Sequence, residues 1–131
     1  MKIGIANGCF DVLHSGHLQL FKIAKKNCDK LIVLINSDQS VFKNKGSGRP
    51  KLKLNTRMQF LKMVKGIDLV EKFDEVTPIN KINEIKPNII FKGSDYKKKN
   101  VVGYKEIRSY GGKVFIIKNY KNFSSTKLID K

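Results

Sequence analysis

The sequence predicts an α/β fold: a single domain built on a doubly wound parallel sheet of about five strands with flanking helices. Three observations carry this. Apolar runs of strand length alternate with amphipathic stretches along all 131 residues, the order of a parallel sheet with helical crossovers. Leu31-Ile32-Val33-Leu34-Ile35 is unbroken apolar sequence, as in a strand covered on both faces. Polar stretches at 7–17, 36–50, 92–96 and 119–126 each follow an apolar run. A Rossmann-like sheet gathers such stretches beyond the C-terminal ends of its strands, where ligands bind.

In chain order, residues 2–6 read as the first strand, bounded by Asn7-Gly8. Residues 15–27 read as a helix, with Leu18, Leu20, Phe21, Ile23 and Ala24 as its apolar stripe. Residues 31–35 are the second strand, ended by Asn36-Ser37-Asp38. Residues 43–50 read as a basic loop from their glycines and proline. Asn55 is placed as the cap of a helix running to about Lys65. Residues 67–73 form a short strand. Thr77-Pro78 opens a helix that ends at Lys86, before Pro87. Residues 88–91 are a strand, leading into the turn 92–96. A short helix is expected over 101–110, stopped by Gly111-Gly112, and a last strand over 113–117. Ser124-Ser125-Thr126 opens a terminal helix.

At this size one domain, 1–131, buries a core without disulfides. Cys9 and Cys28 form no C-x-x-C pair, which suits a reducing cytosol, and neither a signal peptide nor a membrane span is read. Net charge is +16, carried by 24 lysines spread along the chain and 3 arginines. So even a spread reads as a lysine-rich solvated surface. The run Lys97-Lys98-Lys99 is short and has no aromatic RNA-binding motif or Cys/His finger beside it, so dedicated nucleic-acid binding is not expected. The charge still attracts anionic substrates.

Both histidines of the chain, His14 and His17, fall in the stretch Asn7-Gly8-Cys9-Phe10-Asp11-Val12-Leu13-His14-Ser15-Gly16-His17. They stand three apart at a helix start, where unpaired N–H groups suit phosphate. Gly16 lets a ligand approach the backbone. Paired phosphate donors are favoured over two ordinary capping histidines. A zinc site completed by Cys9 and Cys28 has the wrong spacing. Arg49 and Arg57 lie in and just after the glycine loop with Lys45; arginine's planar fork grips phosphate, though chance placement competes. Asp11 and Asp95 are candidates for Mg²⁺ or polar substrate atoms, or for turn aspartates. Ser124, Ser125 and Thr126 offer hydroxyls and N–H groups to an anion, or simply cap.

The stretch Gly8 to His17 resembles the G-x-F-D-x-x-H-x-G-H signature of the cytidylyltransferase-like nucleotidyltransferases, and Ser124-Ser125-Thr126 their S-[ST]-[ST] motif. Four further features resemble the adenylyltransferase domain of heptose-phosphate nucleotidyltransferases: Asn36-Ser37-Asp38, Lys45-Gly46 with Arg49-Pro50, Arg57-Met58, and Lys92-Gly93-Ser94-Asp95-Tyr96, which is similar to K-G-G-D-Y. The resemblance implies transfer of a nucleotidyl group, from ATP, to a sugar 1-phosphate such as a heptose phosphate, with loss of pyrophosphate. His14, His17, Lys45 and Arg57 are then the catalytic residues. Asn7, Gly8, Cys9, Phe10, Gly16, Lys92, Gly93, Asp95, Tyr96, Ser124, Ser125 and Thr126 would bind nucleotide, and Asp11, Asp38 and Arg49 the second substrate. Mg²⁺ would ride on the phosphates with no protein ligand set. A homodimer is implied.

Two departures stand out. Ser94 replaces the second glycine of K-G-G-D-Y, and Phe123 precedes the serines. Glycerol-phosphate cytidylyltransferases share the histidine motif but carry R-T-E-G where this chain reads Asn119-Tyr120-Lys121-Asn122. A CTP-dependent enzyme acting on an alcohol phosphate is therefore the alternative, and a basic nucleic-acid-binding module the alternative of another class.

Overall fold

The computed structural model describes residues 1–46 and 48–118. Among them, five strands form one parallel sheet: β1 (Ile3–Gly8), β2 (Lys30–Asn36), β3 (Leu69–Phe73), β4 (Ile89–Gly93) and β5 (Lys113–Ile117). Their order is β3-β2-β1-β4-β5. The chain winds outward from β1 through β2 to β3, then returns to the other side of β1 for β4 and β5. The reversal between β1 and β4 is the switch point of a doubly wound sheet.

The helices are α1 (Ser15–Lys26), α2 (Asp38–Lys45), α3 (Leu54–Lys62), α4 (Ile79–Ile85) and α5 (Tyr104–Ser109). Strand alternation divides the core between the two sheet faces. On one face Leu31, Val33 and Ile35 meet Phe21 and Ala24 of α1 and Leu61 of α3. On the other, Ile32 and Leu34 share a cluster with Ile82 of α4 and Ile107 of α5. Covering on both faces is what the unbroken apolar run of β2 requires. Each such side chain contributes about 1.5–3 kcal/mol on leaving water.

β1 and β2 pair over six residues, Ile3 to Gly8 against Lys30 to Ile35. β1 and β4 pair only at Gly4↔Ile89 and Ile5↔Ile90, with Asn88 below them accepting the Ile3 N–H on its side chain. Beyond Ile5 and Ile90 both strands continue without pairing to each other. The sheet therefore splits at its switch point. Gly4 is needed beneath the split, because a Cβ there would stand 2.4 Å from Phe91 Cε2 and 3.0 Å from Cys28 Sγ.

Three expectations are corrected. Residues 38–45 are helical, so Lys43, Asn44 and Lys45 belong to α2 and not to a loop; Ser37 caps α2 by accepting the Ser40 N–H, and Asp38 sits favourably in its first turn. Asn55 is not a cap: α3 starts at Leu54, behind Lys53, with no side-chain cap bond. The short helix expected over 101–110 starts later, as α5, behind Gly103 at φ 95°, and a 3₁₀ turn at Lys98–Asn100 precedes it. Pro78 precedes α4 as its cap residue. The expected terminal helix lies outside the described residues. No helix among the described residues is long and apolar enough to cross a membrane.

Candidate active site

Where β1 and β4 part, a cleft of about 450 Å³ opens. β1 and its exit supply Asn7, Gly8, Cys9 and Phe10. β4 and its exit supply Lys92, Gly93, Asp95 and Tyr96. His17 enters from α1, and Lys45 from the end of α2. Ten of the sequence-predicted residues thus meet at one place. Asn36 and Asn44 also line it. Sequence reading gave neither a role, although Asn36 closes a strand at the ligand edge, where a polar residue is a signal.

The two histidines form a capping box at the start of α1. His14 Nδ1 accepts the Gly16 N–H at 3.0 Å, and His17 Nδ1 accepts the His14 N–H at 3.3 Å. Serine and glutamate usually make this pair of bonds. Imidazoles that do so have their Nδ1 lone pairs committed, and a neutral ring then carries its proton on Nε2. The cap therefore fixes the tautomer of each ring. The rings stack at 3.9 Å between centroids, and Phe10 meets His17 edge-on at 5.4 Å. Burial, helped by the neighbouring His14 charge, lowers the His17 pKa to about 4. His17 is thus a neutral Nε2–H ring at pH 7, able to donate to a phosphate oxygen but ill suited as a base. His14 is stacked behind it and does not line the cleft, and Gly16 is buried in the first turn of α1.

Arg57 is placed elsewhere than expected. Its side chain is 0% exposed and does not line the cleft. Its Nε donates to Leu52 O at 2.9 Å. One terminal nitrogen donates to Cys9 O at 2.9 Å and Asn36 O at 2.7 Å, and the other pairs with Asp38 Oδ1 at 2.7 Å. One guanidinium thus ties the exits of β1 and β2 to the starts of α2 and α3. The sequence reading expects Arg57 to neutralise phosphate; in this structure its guanidinium is engaged by protein carbonyls and Asp38.

Asp11, Asp38 and Arg49 are engaged with protein partners as well. Asp11, 4% exposed, accepts from the backbone N–H of Lys51 and Leu52, both at 2.8 Å, and from Arg49 Nε at 3.0 Å. Burial raises its pKa, but those donors and the Arg49 charge outweigh it and leave the carboxyl below its usual value. Asp11 and Arg49 so clip the glycine loop onto the β1 exit. In this structure these three residues shape the wall, and do not line the cleft.

Lys92 reaches back across the split. Its Nζ lies 3.3 Å from Asn7 O and 4.8 Å from the centroid of Tyr96. Burial lowers its pKa, against the opposing influence of Asp95 and Cys9. Asn7 Oδ1 is buried with no hydrogen-bond partner among the described residues, an acceptor that a ligand hydroxyl would satisfy. No group of three or more His, Cys, Asp or Glu among the described residues is placed to hold a metal ion. Ser124, Ser125 and Thr126 lie outside the described residues.

A family model described as cytidylyltransferase-like matches residues 5–131. The chain is 43% identical over all its 131 residues to the bifunctional protein HldE of Nitrobacter winogradskyi, and 44% to that of a Caulobacter species. It spans about a quarter of the length of these curated relatives, 27% in each case. The crystal structure of a lipopolysaccharide core biosynthesis protein from Thermoplasma volcanium superposes with a TM-score of 0.72 at 30% identity, covering 90% of this chain and 95% of that one. A pantothenate synthetase from Thermus thermophilus shares the fold, with a TM-score of 0.65 at 15% identity over 90% of this chain and 56% of its own.

Proposed function

This chain belongs to the cytidylyltransferase-like family, and from that premise we propose that it transfers an adenylyl group from ATP to a sugar 1-phosphate, a heptose phosphate, giving an ADP-sugar and pyrophosphate. The observation that carries the substrate choice is the match to the bifunctional HldE proteins along the whole chain. A phosphate oxygen of the acceptor attacks the α-phosphorus. The new P–O bond forms as the bond to the bridging oxygen breaks, and pyrophosphate leaves with that electron pair. No protein nucleophile is needed, so the cleft works by alignment and by placing donors where charge grows.

In this reading His17 donates its Nε2–H to phosphate oxygen. His14 is its partner in the donor pair and holds the ring in register through the capping box. Lys45 offers a cation from the end of α2, while Asn7, Gly93, Asp95 and Tyr96 line the same cleft and would contact the nucleotide. Ser125 and Thr126 take the β- and γ-phosphates. The donor set fits Mg²⁺ carried on the nucleotide, since Mg²⁺ favours phosphate oxygens with one or two carboxylates and, among the described residues, the Asp95 carboxylate lines the cleft. Bound there, the ion would neutralise phosphate charge. The same reading makes the protein a cytoplasmic homodimer with no dedicated nucleic-acid binding.

The family's description, cytidylyltransferase-like, supports a CTP-dependent second reading, for which the acceptor would be an alcohol phosphate. A pyrophosphate-release screen of four nucleotides against phosphorylated sugars and alcohols tests both. Release with ATP and a heptose 1-phosphate is expected. Release confined to CTP with glycerol 3-phosphate would replace the first reading with the second, and no release with any pair would overturn both.

A further inference from the structure

With Arg57 committed to carbonyls and Asp38, the cleft loses the arginine that the sequence assigned to transition-state charge. Two ammonium groups line it among the described residues, Lys45 and Lys92. They differ in setting. Lys45 is an exposed residue in the last turn of α2, next to Gly46, which has φ 84° and open space where a Cβ would stand. Lys92 stands on β4, and its ammonium sits between Asn7 O and the Tyr96 face.

The position of Lys92 follows from the split ladder. In continued register, Asn7 of β1 would pair with Lys92 of β4, but the ladder stops at Ile5↔Ile90. The Lys92 side chain reaches the Asn7 carbonyl across that gap. An ammonium has three donors, and a 3.3 Å bond to a neutral carbonyl is a weak use of one of them. The group is desolvated, so an anion brought beside it interacts more strongly than it would in water. His17 lines the same cleft from α1.

We propose that Lys92 is a catalytic residue: its ammonium, bridging the parted ends of β1 and β4, binds the α-phosphate oxygens as the bond to the leaving pyrophosphate breaks. It stays protonated and supplies charge, not a proton. This rests on the nucleotidyl-transfer reading and deepens it, since the family resemblance places Lys92 only among general nucleotide contacts.

The test is steady-state pyrophosphate release by wild type, Lys92→Met and Lys92→Arg, with ATP binding measured by calorimetry. Wild-type turnover comes first, and its absence with every substrate pair would refute the underlying reading and this one with it. Given turnover, Lys92→Met should lower kcat by about 10²–10³-fold, the scale for one preorganised donor, with ATP affinity changed less than about tenfold and a cooperative melt retained. Lys92→Arg should recover part of that loss, because charge is kept. A kcat within about fivefold of wild type in Lys92→Met would overturn the proposal, as would a loss confined to KM, which marks uniform binding. If Lys92→Met does not fold, the Lys92→Arg comparison decides: an Arg variant that melts normally but shows no turnover overturns it.

Discussion

Arg57→Ala should unfold this domain more readily, and only secondarily alter its chemistry. Truncation removes the donors now facing the carbonyls of Leu52, Cys9 and Asn36, and leaves Asp38 unpaired. Asp38 is 39% exposed and can rehydrate, so its lost pairing contributes little. The orphaned carbonyls cost about 1–3 kcal/mol each where water cannot reach them. The terms overlap, and the cavity left by a fully buried side chain adds to them. A net loss of about 3–5 kcal/mol follows, as for a buried pair broken from one side. That is a large share of the ~5–15 kcal/mol of a typical domain. With a urea m-value of about 1–3 kcal/mol per molar, the unfolding midpoint should fall by about 2 M. Arg57→Lys should keep most of the loss, since one ammonium cannot span three carbonyls and a carboxylate. Asp38→Asn should shift the midpoint by no more than a few tenths of a molar. A midpoint for Arg57→Ala within roughly 0.3 M of wild type, coupled to a collapse of kcat, would refute the positioning role and return the guanidinium to the substrate.

The remaining expectations concern the same walls. Asp11→Asn should cost about 2–3 kcal/mol in urea unfolding, because the amide NH₂ must then face either the Leu52 N–H or the Lys51 N–H and Arg49 Nε donors. The Asp11 pKa is lowered on folding, so its contribution is present above the unfolded value and lost as pH falls through the folded one; a wild-type-to-variant gap that did not shrink in acid would refute this. Folded His17 has a pKa of about 4 against 6.5 for an ordinary histidine. Between those values the unfolded chain binds the extra proton, so stability should fall as pH drops through that window, by about 2 kcal/mol after discounting for partial exposure. His17→Ala should flatten that slope and lower kcat by about 10²–10³-fold; an unchanged slope, or near-normal turnover in the folded variant, would count against the assignment. Gly4→Ala places a Cβ 2.4 Å from Phe91 Cε2 and 3.0 Å from Cys28 Sγ. It should cost about 1–3 kcal/mol and several degrees of Tm; an unchanged melt would show that the core there yields.

The fold was legible where one signal dominated. The five apolar runs became β1 to β5, and the stripe of Leu20, Phe21 and Ala24 buried α1 as its period required. α2 was missed because Val41 and Phe42 are its only large apolar residues, too few to set a helical period. The readable signal was Ser37 followed by Asp38, a cap and a first-turn acid. In the site, the backbone-near residues line the cleft, and several of the charged ones instead meet protein partners. Asn7 to Phe10, with Lys92, Gly93, Asp95 and Tyr96, line the cleft because strand ends must. Arg49, Arg57, Asp11 and Asp38 carry the chemistry of phosphate and sugar ligands, but they pair with one another or with loop carbonyls. Residue type states what a group can bind, whereas the partner it meets depends on contacts across as many as 48 residues of sequence.

The two-rung seam between β1 and β4 also orders the way this chain can fold. β1, β2 and β3 with α1 are near neighbours in sequence and can assemble early. The partners across the seam are 85 residues apart, so joining them must overcome the closure entropy of a long loop for very few backbone bonds. The cleft has one wall from each side of that seam. A nascent chain that has delivered both histidines therefore still has no site, which comes into being only as Ile89 and Ile90 dock beside Gly4 and Ile5. The binding competence of this domain is thus a late event in its folding.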